Sequence, residues 1–129
     1  MIAKKEIKYL ISLKQKKFRI INNEFVIEGA KLILEALIHN QSIKQIIYST
    51  KIEQFDEIRI KTKNNNIKLS LCTVKDAERI SDTKNSQQIF ALLEYPVLKN
   101  INTINKNIEK PLIILDGISD PGNMGTILR

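Results

Sequence analysis

Pro111-Leu112-Ile113-Ile114-Leu115-Asp116-Gly117-Ile118-Ser119-Asp120-Pro121-Gly122-Asn123-Met124-Gly125-Thr126-Ile127-Leu128-Arg129 is the last stretch of the sequence, and its pattern is that of a strand, a tight loop and the start of a helix. Four consecutive large aliphatics, bounded by Pro111 and by Asp116-Gly117, have the length and branching of a parallel strand covered on both faces. Such a strand needs neighbours for its backbone hydrogen bonds, and the helix expected from Asn123 has little sequence in which to grow. The segment is therefore expected to open a second domain, and the chain to be a fragment of a longer protein.

Upstream, helix and strand signals alternate. Ile7, Leu10 and Ile11 lie at i, i+3 and i+4 and give a first helix its apolar stripe. Phe25-Val26-Ile27 is a strand candidate, followed by Gly29 and a helix whose Ile33, Leu34, Leu37 and Ile38 form one face. Ile46-Ile47-Tyr48 is a further strand. Thr50-x-x-Glu53 and Thr73-x-x-Asp76 have capping-box spacing and predict helix starts. Asn64-Asn65-Asn66 marks a turn before Ile67-x-Leu69-x-Leu71, whose alternation predicts a strand with one face more exposed. Gln88-Ile89-Phe90-Ala91-Leu92-Leu93 is another strand, ended by Tyr95-Pro96. Strands separated by helices predict a three-layer α/β/α sandwich around a mixed sheet. Residues 99–110, with four asparagines, no glycine and no helical stripe, read as a linker. The expected organisation is a domain over 1–98, a linker over 99–110 and the start of a second domain over 111–129.

A chain of 129 residues can build one domain with a proper core. Its hydrophobic share of 43% and charged share of 27% are ordinary for a globular protein, while 5% aromatics and no Trp leave little for extended base-stacking platforms. The single cysteine, Cys72, cannot form an intrachain disulfide or a metal cluster, so no metal site is expected and a reducing, cytoplasmic compartment is the default. No apolar run approaches the roughly 18 residues that span a bilayer, so no membrane partner is expected.

The net charge of +7 is concentrated. Residues 1–19 hold Lys4, Lys5, Lys8, Lys14, Lys16, Lys17 and Arg19 against Glu6, a net of +6, and the remainder carries +1. Such a segment is an electrostatic footprint for a polyanion, RNA above all. A solvated helix face is the alternative. If all six net charges met phosphates of a single-stranded RNA, log affinity would fall against log salt with a slope of about −4, an upper bound.

Asp116-x-x-x-Asp120-Pro121-x-Asn123-x-Gly125-x-x-x-Arg129 resembles the first signature motif of the SpoU/TrmH-type RNA ribose 2′-O-methyltransferases of the SPOUT superfamily. Upstream, Lys16-Lys17-x-Arg19, Phe25-Val26-Ile27-Glu28-Gly29 and Gln87-Gln88-Ile89-Phe90-Ala91 resemble that family's N-terminal substrate-binding domain, with Gln88 where the family often has glycine. The resemblance implies a kink-turn-binding ribosomal-protein-like fold, followed by the first strand of a truncated SPOUT knot. It also implies an intact enzyme that uses S-adenosylmethionine to methylate RNA, rRNA in the first instance, and that dimerises through the knot. The motifs that hold the cofactor are not in this sequence, so the chain alone is expected to bind no S-adenosylmethionine, to be inactive and to be monomeric.

By the same resemblance Arg129 and Asn123 belong to the catalytic centre, while the basic segment points to Lys14, Lys16, Lys17 and Arg19 as the RNA contact. A guanidinium stays protonated, so Arg129 is better suited to clamping the phosphate beside the reacting ribose than to accepting the 2′-hydroxyl proton. Asn123 is suited to holding the loop or the nucleotide, and Gly122 and Gly125 to close backbone approach. Asp120-Pro121-Gly122-Asn123 is also a good turn in its own right. Asp116 and Glu28-Gly29 read as structural at strand ends, His39 as a helix-end residue, and Cys72 as a small core residue. A different class of function is a stand-alone, non-catalytic RNA-binding module of the ribosomal-protein type; whether the reading frame continues beyond Arg129 separates the two.

Overall fold

Ile46 and Ile47 are adjacent in sequence and fully buried on opposite faces of one sheet, as the two-residue period of a strand requires. A computed structural model describes residues 1–49, 55–96 and 113–128, and the chain divides into two compact units, Met1–Pro96 and Val97–Arg129. In the first unit the elements run α1 (Lys4–Ser12), α2 (Lys16–Asn22), β1 (Glu24–Glu28), α3 (Ala30–Ile38), β2 (Ile43–Tyr48), α4 (Phe55–Asn64), β3 (Lys68–Leu71), α5 (Val74–Ile80) and β4 (Ile89–Glu94).

The strands form a mixed sheet in the order β1-β4-β2-β3. β4 pairs antiparallel with both β1 and β2, placing Phe90 opposite Glu28 on one side and opposite Ile47 on the other. β2 and β3 are parallel and are joined by the α4 crossover. Against one face, Ile7 and Leu10 of α1 and Ala77 and Ile80 of α5 pack on Ile47, Phe90 and Leu92. Against the other, Ala30, Ile33 and Leu37 of α3 and Ile58 of α4 pack on Ile46, Ile89, Ala91 and Leu93. This is the expected α/β/α sandwich with a mixed sheet. Phe90 stands at its centre, and truncating it to alanine would remove about 3–5 kcal/mol of stability.

Local chemistry fixes the ends of these elements. Thr73 Oγ1 accepts the Asp76 amide at 3.1 Å and donates to the Asp76 carboxylate at 2.8 Å, so the Thr73-x-x-Asp76 signal does start α5. α2 ends where Asn23 turns left-handed at φ 54°. At the entry to α3, Gly29 adopts φ 111°, and a Cβ there would lie 2.9 Å from Gln87 Oε1. That oxygen accepts the Ala30 amide at 3.2 Å, so Gln87 caps a helix from 57 residues away.

Three features of the first unit are not evident in the sequence pattern. The basic run after Leu13 forms a helix of its own, α2, which has no buried residue to mark it in the pattern. On α3, Ile38 is exposed and Ala30 and Ala36 take its place in the contact with the sheet, because small residues let the helix lie close. On and just after β3 the more buried positions are Ser70 and Cys72, not the leucines. Ser70 Oγ satisfies Gln45 Nε2 at 2.8 Å, so a polar side chain can face the covered layer. The Thr50-x-x-Glu53 signal, the linker over 99–110 and Leu112 lie outside the described residues.

In the second unit the expected buried strand is not formed. Ile113–Asp116 has no regular structure, and Ile113 and Ile114 are 73% and 81% exposed. No strand among the described residues pairs with the segment, and an unpaired parallel strand has neither hydrogen-bond partners nor a surface to cover it. The helix does form: α6 (Pro121–Ile127) starts on Asp120, whose carboxylate accepts the Asn123 amide at 2.8 Å, with Pro121 in its first turn.

Candidate nucleic-acid interface

The basic segment divides into cations that hold the fold and cations that face solvent. Lys14 Nζ donates to the Ser81 carbonyl at 2.5 Å and pairs with Asp82 at 3.1 Å, tying the end of α1 to the loop after α5. Arg19 Nη1 donates to the Leu13 and Lys14 carbonyls at 3.0 and 2.6 Å, satisfying two acceptors at the C-terminal end of α1. Lys16 and Lys17 are exposed on α2, with Lys17 Nζ 4.8 Å from the centre of the Phe18 ring. Lys4, Lys5 and Lys8 are exposed on the outer side of α1. None of these five has an ion-pair partner among the described residues. Glu6, the one acid of the segment, is engaged by Lys68 at 2.7 Å. That bond, with the Ala3 amide adding to it, holds the Glu6 carboxyl below its usual range.

Beside this surface, a cleft of about 310 Å³ opens between the α1–α2 hairpin and the β1 edge. Leu13, Ile80 and Phe90 contribute to its apolar floor, and Lys14, Arg19 and Thr83 to its border. One side of it is fixed by Glu28. The Glu28 carboxylate accepts the Ser81 and Ser86 hydroxyls, each at 2.7 Å, and the Gln87 amide at 2.9 Å. The loop 81–88 is thereby fastened to β1 at both ends by Glu28, and at its Ser81–Asp82 end also to the end of α1 through Lys14. Gln88 continues it at φ 56°, a left-handed conformation in which glycine carries no Cβ penalty; its side chain accepts the Ser49 hydroxyl. A second cluster lies where α1 meets the sheet: Tyr9 donates to Glu24, and Lys44 bridges Glu24 and Glu94, the latter at 2.6 Å. Burial, with the Glu24 bond second, pushes the Tyr9 phenol up to about 12. Glu28-Gly29 is the strand-to-helix junction expected of it, whereas the roles of Ser81, Ser86 and Gln87 are not carried by local sequence, because each depends on a partner more than fifty residues away. The glycine before Ala30, which leaves α3 without a side-chain cap of its own, was the available signal.

In the second unit Asn123 is exposed, and its backbone amide is taken by Asp120. A Cβ at Gly122 would lie 2.9 Å from Asp120 Oδ1 and push on the capping carboxylate, whereas a Cβ at Gly125 would meet open space. Arg129 lies outside the described residues. Among the described residues no cluster of three potential metal ligands occurs, and no helix is long and apolar enough to cross a membrane.

A family model described as the MRM3-like substrate binding domain matches residues 4–91, the span from α1 into β4. The chain belongs to the MRM3-like substrate-binding domain family. Among curated proteins it is 31% identical over 118 residues to the 23S rRNA (guanosine(2553)-2′-O)-methyltransferase RlmP of Bacillus subtilis, covering 91% of this chain and 43% of that protein. Among solved structures it is similar to a putative RNA methyltransferase of the TrmH family from Porphyromonas gingivalis, with a TM-score of 0.72 and 27% identity over 100% of this chain and 47% of the other. It is also similar to an AdoMet-bound rRNA methyltransferase from Sinorhizobium meliloti, with a TM-score of 0.62 and 25% identity over 74% of this chain and 35% of the other. The chain spans 28–43% of the length of the curated relatives it matches. The SpoU/TrmH resemblance read from the motifs is thus borne out, and S-adenosylmethionine is bound in solved structures to which this chain is similar. The groove beside α6 is lined by one turn and one short helix, and the Asp120 carboxylate there is occupied by the cap.

Proposed function

We propose that this chain is the RNA-recognition part of an S-adenosylmethionine-dependent rRNA ribose 2′-O-methyltransferase. The observation that carries the reading is a substrate-binding domain over residues 4–91 followed in the same chain by the Asp116…Arg129 pattern. In this reading residues 1–98 hold the RNA, 99–110 link, and 111–129 begin the catalytic domain. Lys16 and Lys17 contact phosphates directly, while Lys14 and Arg19, each bound to backbone carbonyls, set the shape of the surface that the RNA meets. Arg129 clamps the phosphate next to the reacting ribose through its two parallel donors, and Asn123 steadies the loop beside it. The complete protein works in the cytoplasm as a homodimer joined through its knot domain, and this chain by itself is monomeric and transfers no methyl group.

The reading frame beyond Arg129 and a map of ribose methylation in a strain lacking the gene provide the test. A continuing α/β region, together with loss of one rRNA 2′-O-methyl mark that the complete gene restores and an Arg129→Ala gene does not, is the expected outcome. An unchanged methylation map would overturn the enzymatic reading.

A further inference from the structure

The cleft between the α1–α2 hairpin and β1 combines two kinds of surface. Its floor is apolar, and Val26 of the edge strand continues that surface upward. Its polar groups balance: Lys14 and Arg19 stand against Glu28 and Asp82, two cations and two carboxylates. A phosphate would find no excess of positive charge here. A flat, uncharged heterocycle with a polar edge suits such a site, its faces against apolar and aromatic side chains and its edge toward fixed donors and acceptors. The unpaired cations lie just outside, on Lys16 and Lys17, only two and three residues after Lys14. Base and phosphate chemistry are therefore presented side by side on one surface, whose 81–88 loop is fastened at both ends by Glu28 and at its Ser81–Asp82 end also by Lys14.

We propose that this cleft takes one unstacked nucleobase from a single-stranded segment of the RNA, while Lys16 and Lys17 hold the flanking phosphates. The inference rests on the RNA-binding reading above. Asp82 engages Lys14 through Oδ1, and its side chain is 75% exposed, which leaves carboxylate acceptors at the mouth. Bases with an exocyclic amino group, adenine among them, therefore bind in preference to uracil, which offers no amine.

Three RNAs provide the test: a hairpin with an adenine-rich single-stranded loop, the same hairpin with a uracil-only loop, and a blunt duplex, each titrated against the full chain by fluorescence anisotropy. Thr83→Trp plants an indole at the exposed edge of the cleft. It is expected to lower the ratio of adenine-hairpin to duplex affinity about tenfold, whereas the double substitution Lys16→Glu and Lys17→Glu weakens all three RNAs. In methyl NMR of the unsubstituted chain, adenosine 5′-monophosphate should shift the Val26 and Ile80 methyls and leave the Ile33 methyls, on the opposite face, in place. This second measurement stands even if the tryptophan variant folds poorly. An unchanged affinity ratio in Thr83→Trp, equal affinity for the two hairpins, or nucleotide shifts that bypass Val26 and Ile80 would each overturn the cleft proposal while leaving RNA binding intact. No binding of any of the RNAs at low salt would overturn the RNA reading, and the cleft proposal with it.

Discussion

The Ser81 hydroxyl donates to the Glu28 carboxylate at 2.7 Å across 53 residues of sequence. Ser86 and Gln87 donate to the same side chain, so one carboxylate holds both ends of a surface loop. Glu28→Ala strands these donors, at a cost of about 1–3 kcal/mol. Glu28→Gln retains one oxygen and is expected to cost less. Urea unfolding of the three proteins, with hydrogen exchange at the Gln87 amide, checks the order; an alanine variant as stable as the parent would refute it.

Asn23 closes α2 at φ 54° and accepts the Tyr95 amide through its carbonyl at 3.0 Å. Left-handed backbone costs an ordinary L-residue roughly 1–2 kcal/mol. Asn23→Ala should therefore destabilise the first unit by about 1 kcal/mol, and Asn23→Gly should leave it within a few tenths of a kcal/mol of the parent. Thermal or urea unfolding separates the two variants.

Tyr9 gives the protein an alkaline dependence. Its folded-state pKa is about 12, raised first by burial and then by the Glu24 bond, against an ordinary value near 10. A group whose pKa is raised on folding stabilises while protonated. The contribution is complete below about pH 10 and is lost as pH climbs from about 10 through about 12. Tyr9→Phe removes that slope and, by losing a hydrogen bond to a charged acceptor, lowers stability at neutral pH by about 1 kcal/mol. Unfolding curves at neutral and alkaline pH test both statements.

Cys72 is buried, and burial, helped by Asp76, pushes its thiol above the usual value. Alkylation requires the thiolate. Iodoacetamide near neutral pH should leave the folded chain unmodified and react promptly once urea exceeds the unfolding midpoint. Rapid labelling without denaturant would contradict this placement.

Salt dependence follows from the five lysines of the N-terminal segment that have no ion-pair partner among the described residues. If Lys4, Lys5, Lys8, Lys16 and Lys17 all met phosphates of a single-stranded RNA, the slope of log affinity against log salt would be about −3.5. Charge reversal of Lys16 and Lys17 should bring it nearer to −2. Lys14→Met, by contrast, removes a cation already paired with Asp82 and should alter loop dynamics more than the slope. Anisotropy titrations across a salt series distinguish these outcomes.

Which parts of this molecule were legible in its sequence follows from the range of the forces involved. Ile46-Ile47 and Ile89–Leu93 announced strands because an uninterrupted aliphatic run needs cover on both faces, and the structure supplies it. Thr73 and Asp76 announced a helix start because the whole cap lies within four residues. α2 was illegible because none of its side chains is fully buried and Phe18 alone packs against the core, so its sequence carries charge but no period. Lys14 and Arg19 looked like free cations because their partners are backbone carbonyls and an aspartate brought in by the fold. Ile113 and Ile114 were read as a strand on composition, yet a strand exists only alongside a partner.

The sheet order places β4 between β1 and β2 although it is the last strand of its unit. As the chain leaves the ribosome, β1 therefore has no lateral neighbour until Glu94 has been synthesised, about 70 residues after Glu24, a delay of several seconds at ordinary translation rates of about 5–20 residues per second. Until then Phe25, Val26 and Ile27 form an open edge in a nascent polypeptide. Closure must come as a single late event when Ile89–Glu94 slots into the gap, so assembly of this unit is gated by the arrival of one segment.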